Sequence, residues 1–439
     1  MSNKYFRDPI HGYIEVSPCA LELIDSPFFQ RLRRIKQLSF SNYVYHGAEH
    51  TRFGHSLGVY YLARKICDIL LKEEPAEIKE EFCLAGLLHD IGHHPFSHSF
   101  ESVLKITLQD TGIDFSHENF TLSIINNTMV GDYIEKHGYN KNHVSQLIEG
   151  SFTDVPNLSY LNELISSELD LDRMDYLLRD SYYCGVPYGK IDLDRLLLSL
   201  KPAEGEIIVS EKGRQSIEMY ILSRFYMYTQ VYLHHTTRAF DIMLKNIFSK
   251  SLIKDINYPT PEKGDVDRLI NFDDLWLYGI IKQISKEAGS NENYLADCII
   301  SRNPIRCVIE KVTFSDAQSQ ARDPEYSAIK EMSKYFDVIA LEAQIDENLI
   351  FLDEPWTDLP LENRYHPYTT KPEDAGNKTI KIESRRGVTD IAMDPSSISY
   401  YIAKYMAQII RIYTPLDHRA ALSSTILTRH KELEHLLWF

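Results

Sequence analysis

The residues with the clearest chemical potential lie in one short segment, residues 87–98, which reads Leu-Leu-His-Asp-Ile-Gly-His-His-Pro-Phe-Ser-His. An apolar run leads into the adjacent pair His89 and Asp90, and Gly92 and Pro95 then interrupt helical structure. Imidazole and carboxylate groups are common ligands of borderline divalent metals. The segment therefore predicts a metal site close to the end of a helix.

Adjacent residues on a helix point about 100° apart, so His89 and Asp90 cannot lie along one face, but they can converge on a metal near the helix end. Two further ligands must come from other elements. Apolar residues at helical spacing predict an amphipathic helix over residues 53–71, and His55 lies near its start. We expect His55 to supply one of these ligands. The remaining ligand is expected from an acid on a later, largely buried helix.

Residues 160–180 can supply this acid, because an apolar face predicts a helix there. A second face of the same helix carries polar groups at positions i, i+4 and i+8, namely Asp172, Tyr176 and Asp180. A row of carboxylate, phenol and carboxylate suits a groove that holds a metal and a substrate. The same spacing also fits a charged face in solvent, with an ion pair between Asp175 and Arg179. The spacing leaves both interpretations open.

A set of two imidazoles and two carboxylates favours Fe, Mn, Zn or Co over Ca, and it leaves coordination positions for water or phosphate. A metal of this kind activates water and neutralises phosphate charge. The residues therefore predict hydrolysis of a phosphoester.

The composition limits the partners of the protein. The 439 residues carry a formal net charge of −16, which argues against stable nucleic-acid binding but permits a small polyanionic substrate in a locally basic pocket. The chain start lacks an apolar leader, and the sequence contains no apolar run of membrane-spanning length, so we expect a cytoplasmic protein without membrane contact. The six scattered cysteines indicate free thiols.

The pattern of the chain predicts a mainly α fold in two domains. Residues 1–255 read as a helical catalytic domain with an N-terminal regulatory segment, and residues 256–439 read as a smaller α+β module for oligomerisation or regulation. Within that module, alternating polar and apolar residues predict strands in residues 335–352 and 379–382, and residues 396–413 are expected to form a final helix.

Short motifs along residues 1–250 resemble those of the HD-domain metal-dependent phosphohydrolases, and among them the deoxynucleoside triphosphate triphosphohydrolases. The resemblance is to the branch with the vertebrate sterile-alpha-motif/HD-domain enzyme and its bacterial relatives, here without a sterile-alpha-motif domain. The motifs are Asp8-Pro-Ile-His-Gly, Phe29-Gln-Arg-Leu-Arg, Arg52-Phe-Gly-His-Ser-Leu-Gly-Val, His89-Asp-Ile-Gly-His, Pro95-Phe-Ser-His, Ser116-His-Glu and Asp172-Arg-Met-Asp-Tyr.

The resemblance implies an HD-type helical core with one divalent metal per active site, whether Fe, Mn, Zn, Co or Mg. The implied ligands are His55, His89, Asp90 and Asp172. It further implies cleavage of a dNTP at its α-phosphate, which releases a deoxynucleoside and inorganic triphosphate. The implied catalytic pair is His117, which protonates the leaving 5′-oxygen, and Glu101, which orients that imidazole where the vertebrate enzyme has the shorter Asp.

The resemblance also assigns substrate contacts. For the sugar it implies Tyr176, Asp180 and Tyr232, and for the base it implies Gln37. For the triphosphate it implies residues that are cationic or can become so: Arg52, His93, His98 and Arg173. A tyrosine beneath C2′ would exclude a ribose on steric grounds. His94, by contrast, is expected to lie at the surface without a role in the site.

Regulation is implied as well. Asp25, Gln30 and Arg33 match positions that bind an activating nucleotide, GTP or a dNTP, between subunits of the relatives, which work as homotetramers. An additional Mg²⁺ could accompany the nucleotide phosphates. Two alternatives stay open: another HD phosphohydrolase that acts on a nucleoside monophosphate or cyclic nucleotide, or a nucleotide sensor or single-strand nucleic-acid binder.

Overall fold

The structure of the chain is a computed structural model that describes residues 4–248, 250–287, 289–316, 323–355, 379–384, 387–402 and 405–437. It is 61% helical and 12% strand, which confirms the predicted mainly α fold class with a helical core and small sheets toward the C-terminus. Among the described helices, none combines the length and the apolar character that crossing a bilayer requires.

The helices are numbered in chain order. They are α1 (Pro18–Ile24), α2 (Pro27–Arg31), α3 (Arg52–Leu70), α4 (Ala76–Leu88), α5 (His98–Thr107), α6 (His117–Asn127), α7 (Met129–Lys136), α8 (Lys141–Glu149), α9 (Leu161–Ile165), α10 (Leu171–Cys184), α11 (Leu193–Ser199), α12 (Arg214–Met227), α13 (His235–Ile247), α14 (Lys250–Ile256), α15 (Asp274–Ile284), α16 (Asn291–Ile300), α17 (Pro324–Met332), α18 (Phe336–Ala343), α19 (Ile398–Ile402) and α20 (Arg419–Arg429).

The strands form three small sheets. They are β1 (Lys4–Asp8), β2 (Gly12–Val16), β3 (Leu200–Ala203), β4 (Glu206–Val209), β5 (Arg306–Asp316), β6 (Phe351–Asp353), β7 (Lys381–Ser384), β8 (Gly387–Asp390) and β9 (Tyr405–Thr414). Strands β1 and β2 form a hairpin, the second sheet has the order β3-β4-β7-β8, and the third has the order β5-β9-β6. Only the β4–β7 pair of these described sheets is parallel.

The chain folds into two compact units. Unit 1 contains the described residues within 1–227, 248–279 and 378–391, and unit 2 contains those within 228–247, 280–377 and 392–439. The domain boundary expected after residue 255 thus falls inside the middle segment of unit 1. Every predicted metal ligand and both predicted catalytic residues lie in unit 1.

The core of unit 1 forms where α3 packs against α4 and α10. Apolar residues on α3 such as Val59, Leu62 and Ile66 are almost fully buried, and so are Leu84 and Leu87 on α4. Burial of each such side chain contributes roughly 1.5–3 kcal/mol to folding. The helices that carry His55 and Asp172, and the one that ends next to His89, are therefore fixed by the main hydrophobic core.

The helix predicted over residues 160–180 is two helices, α9 and α10. The side chain of Asp170 accepts a hydrogen bond from the backbone N–H of Arg173 at 2.8 Å and so begins a new helix at Leu171. Gly185 ends α10 in the left-handed conformation, with φ at 70°. This restart places Asp172 in the first turn of α10.

Two predictions for the C-terminal part are wrong. Residues 335–352 form mainly α18 and a 3-10 turn, with a strand at β6 alone. Residues 396–413 form the short helix α19 and then the long strand β9. Strand β9 is central in its sheet and is rich in β-branched and aromatic residues. Because consecutive residues such as Ile409 and Ile410 are both buried, its sequence lacks the alternation typical of a half-exposed strand.

Gly92 is required for a close approach between the segment after α4 and the start of α6. A Cβ atom at this position would meet the backbone of Thr121 and the carbonyl oxygen of His117. We expect Gly92→Ala to lower the free energy of unfolding by about 1–3 kcal/mol, because backbone atoms cannot move aside as a side chain can. Urea unfolding measures this change.

The matched control is Gly279→Ala, because Gly279 lies in α15 and a Cβ there has no neighbour within 4 Å among the described residues. Its stability should be unchanged or slightly raised, since alanine favours a helix over glycine. Equal stability of the Gly92→Ala variant and the wild type would contradict the close approach.

Candidate functional site

Three of the four predicted metal ligands converge in unit 1. His55, His89 and Asp172 each offer a ligand atom, and these atoms lie within 4.8 Å of one another. Nε2 of His55 is 2.8 Å from Oδ1 of Asp172, and Nε2 of His89 is 3.7 Å from the same oxygen. The first turn of α3, the residue after α4 and the first turn of α10 thus meet at one point.

The fourth predicted ligand, Asp90, borders this cluster. Its two carboxylate oxygens lie 3.4 Å from Nε2 of His89 and 3.6 Å from Nε2 of His55, and the carboxylate also forms an ion pair with Arg52. Burial opposes the charged form, but Arg52, His89 and His93 outweigh it and hold the pKa of Asp90 well below its usual range. Asp90 is therefore an anionic group beside both imidazoles.

The donors in this cluster fit a divalent metal. Nδ1–H of His89 donates to the carbonyl of Gly86 at 2.9 Å, which directs Nε2 toward the cluster. That Nε2 is buried and makes no hydrogen bond with any residue in the described part of the chain. A buried nitrogen without a hydrogen bond is costly unless another ligand binds it. Two neutral imidazoles and the carboxylates would hold a borderline divalent ion.

Asp175 orients His55 through Nδ1, the ring nitrogen that does not face Asp172. Nδ1–H of His55 donates to Oδ2 of Asp175 at 2.8 Å, and Nε2 of His11 lies 2.6 Å from Oδ1 of the same carboxylate. Arg179 donates to both oxygens of Asp175, at 2.8 and 2.9 Å, and also to Asp8 at 2.8 Å. The β1–β2 hairpin, α3 and α10 are therefore joined by one buried polar network.

This network corrects the interpretation of α10 as a charged solvent face. The Asp175–Arg179 ion pair exists, but both side chains are almost fully buried. Arg179, His11 and His55 hold the pKa of Asp175 well below its usual range against the opposing effect of burial. Sequence reasoning missed His11 and Asp175 as positioning residues, although both lie in motifs that carried the family resemblance.

The predicted catalytic residues form a second cluster beside the first. Oε2 of Glu101 lies 3.1 Å from Nδ1 of His117 and 3.1 Å from Nδ1 of His98. The ring of His93 stacks on that of His117 with centroids 3.9 Å apart, and Nε2 of His93 is 3.2 Å from Asp90. His93 therefore connects the two clusters.

The two stacked imidazoles have opposite protonation preferences. Burial disfavours the charged form of His117, but the adjacent Glu101 carboxylate outweighs it and raises the pKa to about 9. His93 has its pKa lowered well below the usual value by burial and by the nearby charges of Arg52 and His117. At neutral pH the site therefore holds one protonated and one neutral imidazole.

The predicted substrate residues of unit 1 have different surroundings. Arg52 is buried between Asp90 and the hydroxyl of Ser97, to which its Nε donates at 2.8 Å. Arg173 pairs with Asp170. Gln37 is buried, and its side-chain oxygen makes no hydrogen bond among the described residues. Each assignment to a nucleotide group stays a prediction.

The predicted sugar contacts lie on two units. Tyr176 and Asp180 follow Asp172 along α10, and Oδ1 of Asp180 is 2.7 Å from Nε2 of buried His50, a pair that sequence reasoning missed. Tyr232 belongs to unit 2, where it ends a π-helical turn over Tyr228–Tyr232. The roles of all three residues stay predictions.

The predicted regulatory residues lie near the start of unit 1. Asp25 and Arg33 are exposed, and Nε of Arg33 donates to the side-chain oxygen of Gln30 at 2.9 Å. Arg33 lines a cavity of about 420 Å³ together with Arg7 and Arg179. Asp8 and Glu49 also line this cavity, and Arg179 pairs with Asp8, so the lining carries charges of both signs.

The prediction of a surface position for His94 is wrong. Its ring is fully buried and lies 2.9 Å from both the hydroxyl of Tyr258 and the carbonyl of Phe115. Burial lowers its pKa to about 3, so the ring is neutral. His94 is a structural residue that holds this part of unit 1 together, because both ring nitrogens are occupied.

Buried polar residues also shape the segment between the two clusters. Arg31 donates to the carbonyls of Ile91 and His93, at 3.0 and 2.7 Å. The carboxylate of Asp274 accepts from the backbone N–H groups of Phe96 and Lys36, at 2.7 and 2.8 Å. These bonds fix the backbone on both sides of His93, and neither residue is recognisable as a positioning residue from sequence spacing.

Comparisons with known proteins identify the family of the chain. The HD domain profile matches residues 52–180, and the profile of the HD associated region matches residues 191–365. A solved structure of a hypothetical protein from Aquifex aeolicus is 30% identical and has a TM-score of 0.74, covering 97% of this chain and 100% of that chain. The chain belongs to the HD-domain family. The family predicted from the motifs is thereby confirmed.

Three further relatives of this HD-domain protein are one solved structure and two curated proteins. A solved phosphohydrolase from Bacteroides thetaiotaomicron has a TM-score of 0.70 at 25% identity, covering 94% of this chain and 100% of that chain. The uncharacterised protein YwfO of Bacillus subtilis is 43% identical over 257 residues, 56% of each chain. Human deoxynucleoside triphosphate triphosphohydrolase SAMHD1 is 31% identical over 280 residues, 56% of this chain and 44% of that protein. The chain thus spans about half the length of these two curated relatives.

Asp175→Asn tests whether the second carboxylate of α10 orients His55. We expect metal affinity to fall roughly 10- to 100-fold, because His55 loses the acceptor that fixes its tautomer and ring orientation. Competition with a metal-sensitive dye measures the affinity, and circular dichroism verifies folding. Asp172→Ala, which removes a ligand, should show a larger loss.

The matched control is Asp194→Asn, because Asp194 is an exposed carboxylate that pairs with Lys65 on the surface. Its metal affinity should equal that of the wild type. If folded Asp175→Asn protein bound metal as tightly as this control, Asp175 would not be a positioning residue.

Proposed function

We propose that the protein is a metal-dependent phosphohydrolase that cleaves dNTPs at the α-phosphate into a deoxynucleoside and inorganic triphosphate. The observation that carries the proposal is the adjacency of two clusters with different chemistry. A candidate metal set of His55, His89 and Asp172, bordered by Asp90, lies beside a His117–Glu101 pair, and His93 contacts both Asp90 and His117. Hydrolysis of a phosphoester needs both a group that stabilises phosphate charge and an acid for the leaving oxygen.

A metal bound by His55, His89, Asp90 and Asp172 would supply charge neutralisation and a water of lowered pKa. Arg52 and the neutral ring of His93, next to Asp90, would hold phosphate oxygens. In the net reaction, an oxygen of water bonds to the α-phosphorus while the bond from phosphorus to the 5′-oxygen breaks. The 5′-oxygen needs a proton at that moment, since an alkoxide is a poor leaving group.

His117 is the proposed donor of this proton. Its imidazolium is stabilised by Glu101, so it is protonated at neutral pH and lies beside the cluster that would bind the phosphate. His117 and His98 hold the pKa of Glu101 well below its usual range, and Lys105 binds the other carboxylate oxygen at 2.7 Å. The proton returns to the imidazole from water at the end of the cycle.

The dNTP preference and the regulation are parts of the same proposal. Tyr176 lies one turn after Asp172 on α10, where a ring close to C2′ would exclude a 2′-hydroxyl. Asp25, Gln30 and Arg33 are proposed to bind an activating GTP or dNTP, supported by the position of Arg33 beside Arg7 in a cavity of about 420 Å³. We propose a homotetramer, in keeping with an activator bound between subunits.

Product analysis separates this function from its alternatives. Purified protein is incubated with each dNTP, with dAMP and with a cyclic nucleotide, each with a divalent metal and with or without GTP. We expect tripolyphosphate and deoxynucleoside from dNTPs, faster with GTP. Pyrophosphate, orthophosphate or turnover of monophosphates alone would contradict the bond that we propose to be cleaved.

The matched variant in this assay is His117→Ala. It should retain metal and nucleotide binding and lose about 100-fold or more of the turnover, since general acid catalysis contributes on the order of 10²–10⁴-fold. His137→Ala removes a surface histidine that pairs with Glu22 and serves as the control. Turnover of His117→Ala near that of His137→Ala would remove His117 from the acid role.

The pH dependence tests the Glu101–His117 pair. His117 is active as an acid when protonated, and its pKa is raised to about 9, so turnover should be maintained through neutral pH and fall as the pH rises through about 9. In Glu101→Gln the carboxylate that raises this pKa is absent, so the decline should occur at a lower pH. An alkaline limb at the same pH in both proteins would contradict the pairing.

A further inference from the structure

We propose that His93, His98, Glu101 and His117 form a second divalent-metal site that is selective for zinc, beside the site of His55, His89, Asp90 and Asp172. Each of the four offers a ligand atom, and these atoms lie within 4.8 Å of one another. The proposal concerns metal binding by the protein itself and does not depend on nucleotide hydrolysis.

The spacing of this second cluster is close to that of a zinc site. Zn–N bonds of 2.0–2.1 Å in a tetrahedron separate the ligand atoms by roughly 3.3–3.5 Å. Oε2 of Glu101 is 3.1 Å from Nδ1 of both His98 and His117. His93 completes the set with its ring stacked 3.9 Å from that of His117. The four ligand atoms already lie within 4.8 Å of one another, so rotations that include turning one of the two stacked rings would bring four donors around one ion.

An unsatisfied donor points to a ligand at this cluster. Nδ1 of His93 is buried and makes no hydrogen bond with any part of the chain that the structure describes. Glu101 is also buried, and its negative charge faces two imidazoles. His98, in contrast, is an exposed side chain, with 67% of its area open. An ion can thus enter from solvent and reach the buried donors.

The ligand types distinguish this site from the first one. Three imidazoles and one carboxylate form a nitrogen-rich set that prefers Zn²⁺ over Mg²⁺, Ca²⁺ or Mn²⁺. The first site has two imidazoles and two carboxylates, which harder ions also accept. Zinc in the second site would bind a ring nitrogen of His117 in place of a proton. If the proposed function holds, the imidazolium that donates the proton could then not form. Zinc is then an inhibitor of an enzyme that another metal activates.

Metal stoichiometry tests the second site. Full-length protein is freed of metal with a chelator and titrated with Zn²⁺, followed by calorimetry and by elemental analysis after desalting. We expect two equivalents per chain for the wild type and one equivalent for His98→Ala, while His137→Ala keeps two. One equivalent for the wild type, or two for His98→Ala, would overturn the proposal.

Titration with Co²⁺ provides an independent readout, because cobalt in a tetrahedral nitrogen-rich site absorbs visible light strongly. The absorption should be present in Asp172→Ala, which lacks a ligand of the first site, and absent from His98→Ala and Glu101→Gln. Absorption that persists in His98→Ala would assign the ion elsewhere, for example to the buried thiols Cys67 and Cys83, whose sulfur atoms are 3.7 Å apart.

The outcomes separate this proposal from the proposed function. A protein that binds two zinc ions but hydrolyses no nucleotide would retain the second site and lose the function. A protein that releases tripolyphosphate but binds one zinc ion would retain the function and lose the second site. Where both hold, added Zn²⁺ should slow hydrolysis by the Mn²⁺-loaded protein at least tenfold, and a chelator followed by Mn²⁺ should restore it.

Discussion

The buried carboxylate of Asp175 is the constraint on which the candidate metal site depends. It accepts hydrogen bonds from His55 and Arg179 and contacts His11, and Arg179 continues to Asp8. Removing one partner of a buried ion pair leaves an uncompensated charge, so the loss of any member would destabilise the network. It ties the N-terminal hairpin, α3 and α10 into one arrangement in which His55 and Asp172 face the same point.

The segment after α4 is constrained in a similar manner. Arg31 and Asp274 bind backbone groups on both sides of His93, and Gly92 lets this segment lie directly against α6. The result is a short stretch of chain with two chemical roles. His89 belongs to the candidate metal cluster and Asp90 borders it, whereas His93 stacks on His117 and joins the cluster around Glu101. The opposite pKa shifts of the stacked rings have separate causes: Glu101 raises the pKa of His117, whereas burial and the charge of Arg52 lower the pKa of His93.

The sequence predicted the parts of the site that are local or carry family motifs. The H…HD…D pattern identified His55, His89, Asp90 and Asp172, and the structure brings three of them together with Asp90 at the edge. Sequence spacing could not identify Asp175 as the residue that orients His55, because its ion pair with Arg179 looks the same on a buried face as on an exposed one. The partner His11 lies 164 residues away along the chain, so only the fold reveals this contact.

The wrong predictions have a common physical cause. Strand β9 was expected to be a helix, and α18 was expected to be a strand, because partners distant in sequence decide the secondary structure of short apolar segments. His94 was expected at the surface, but Tyr258 and the carbonyl of Phe115 satisfy its ring in the interior. Local sequence patterns therefore predicted the helical core correctly. They failed where contacts with residues distant in sequence determine the secondary structure or the burial of a side chain.

We propose that His55, His89, Asp90 and Asp172 hold one divalent metal. Anomalous diffraction at the absorption edge of the metal, from crystals of the protein loaded with Mn²⁺, tests it most directly. We expect a peak roughly 2.0–2.3 Å from Nε2 of His55, Nε2 of His89 and an oxygen of Asp172, with Asp90 as the fourth protein ligand. Metal-loaded crystals without a peak at these residues, or with the peak elsewhere, would contradict it.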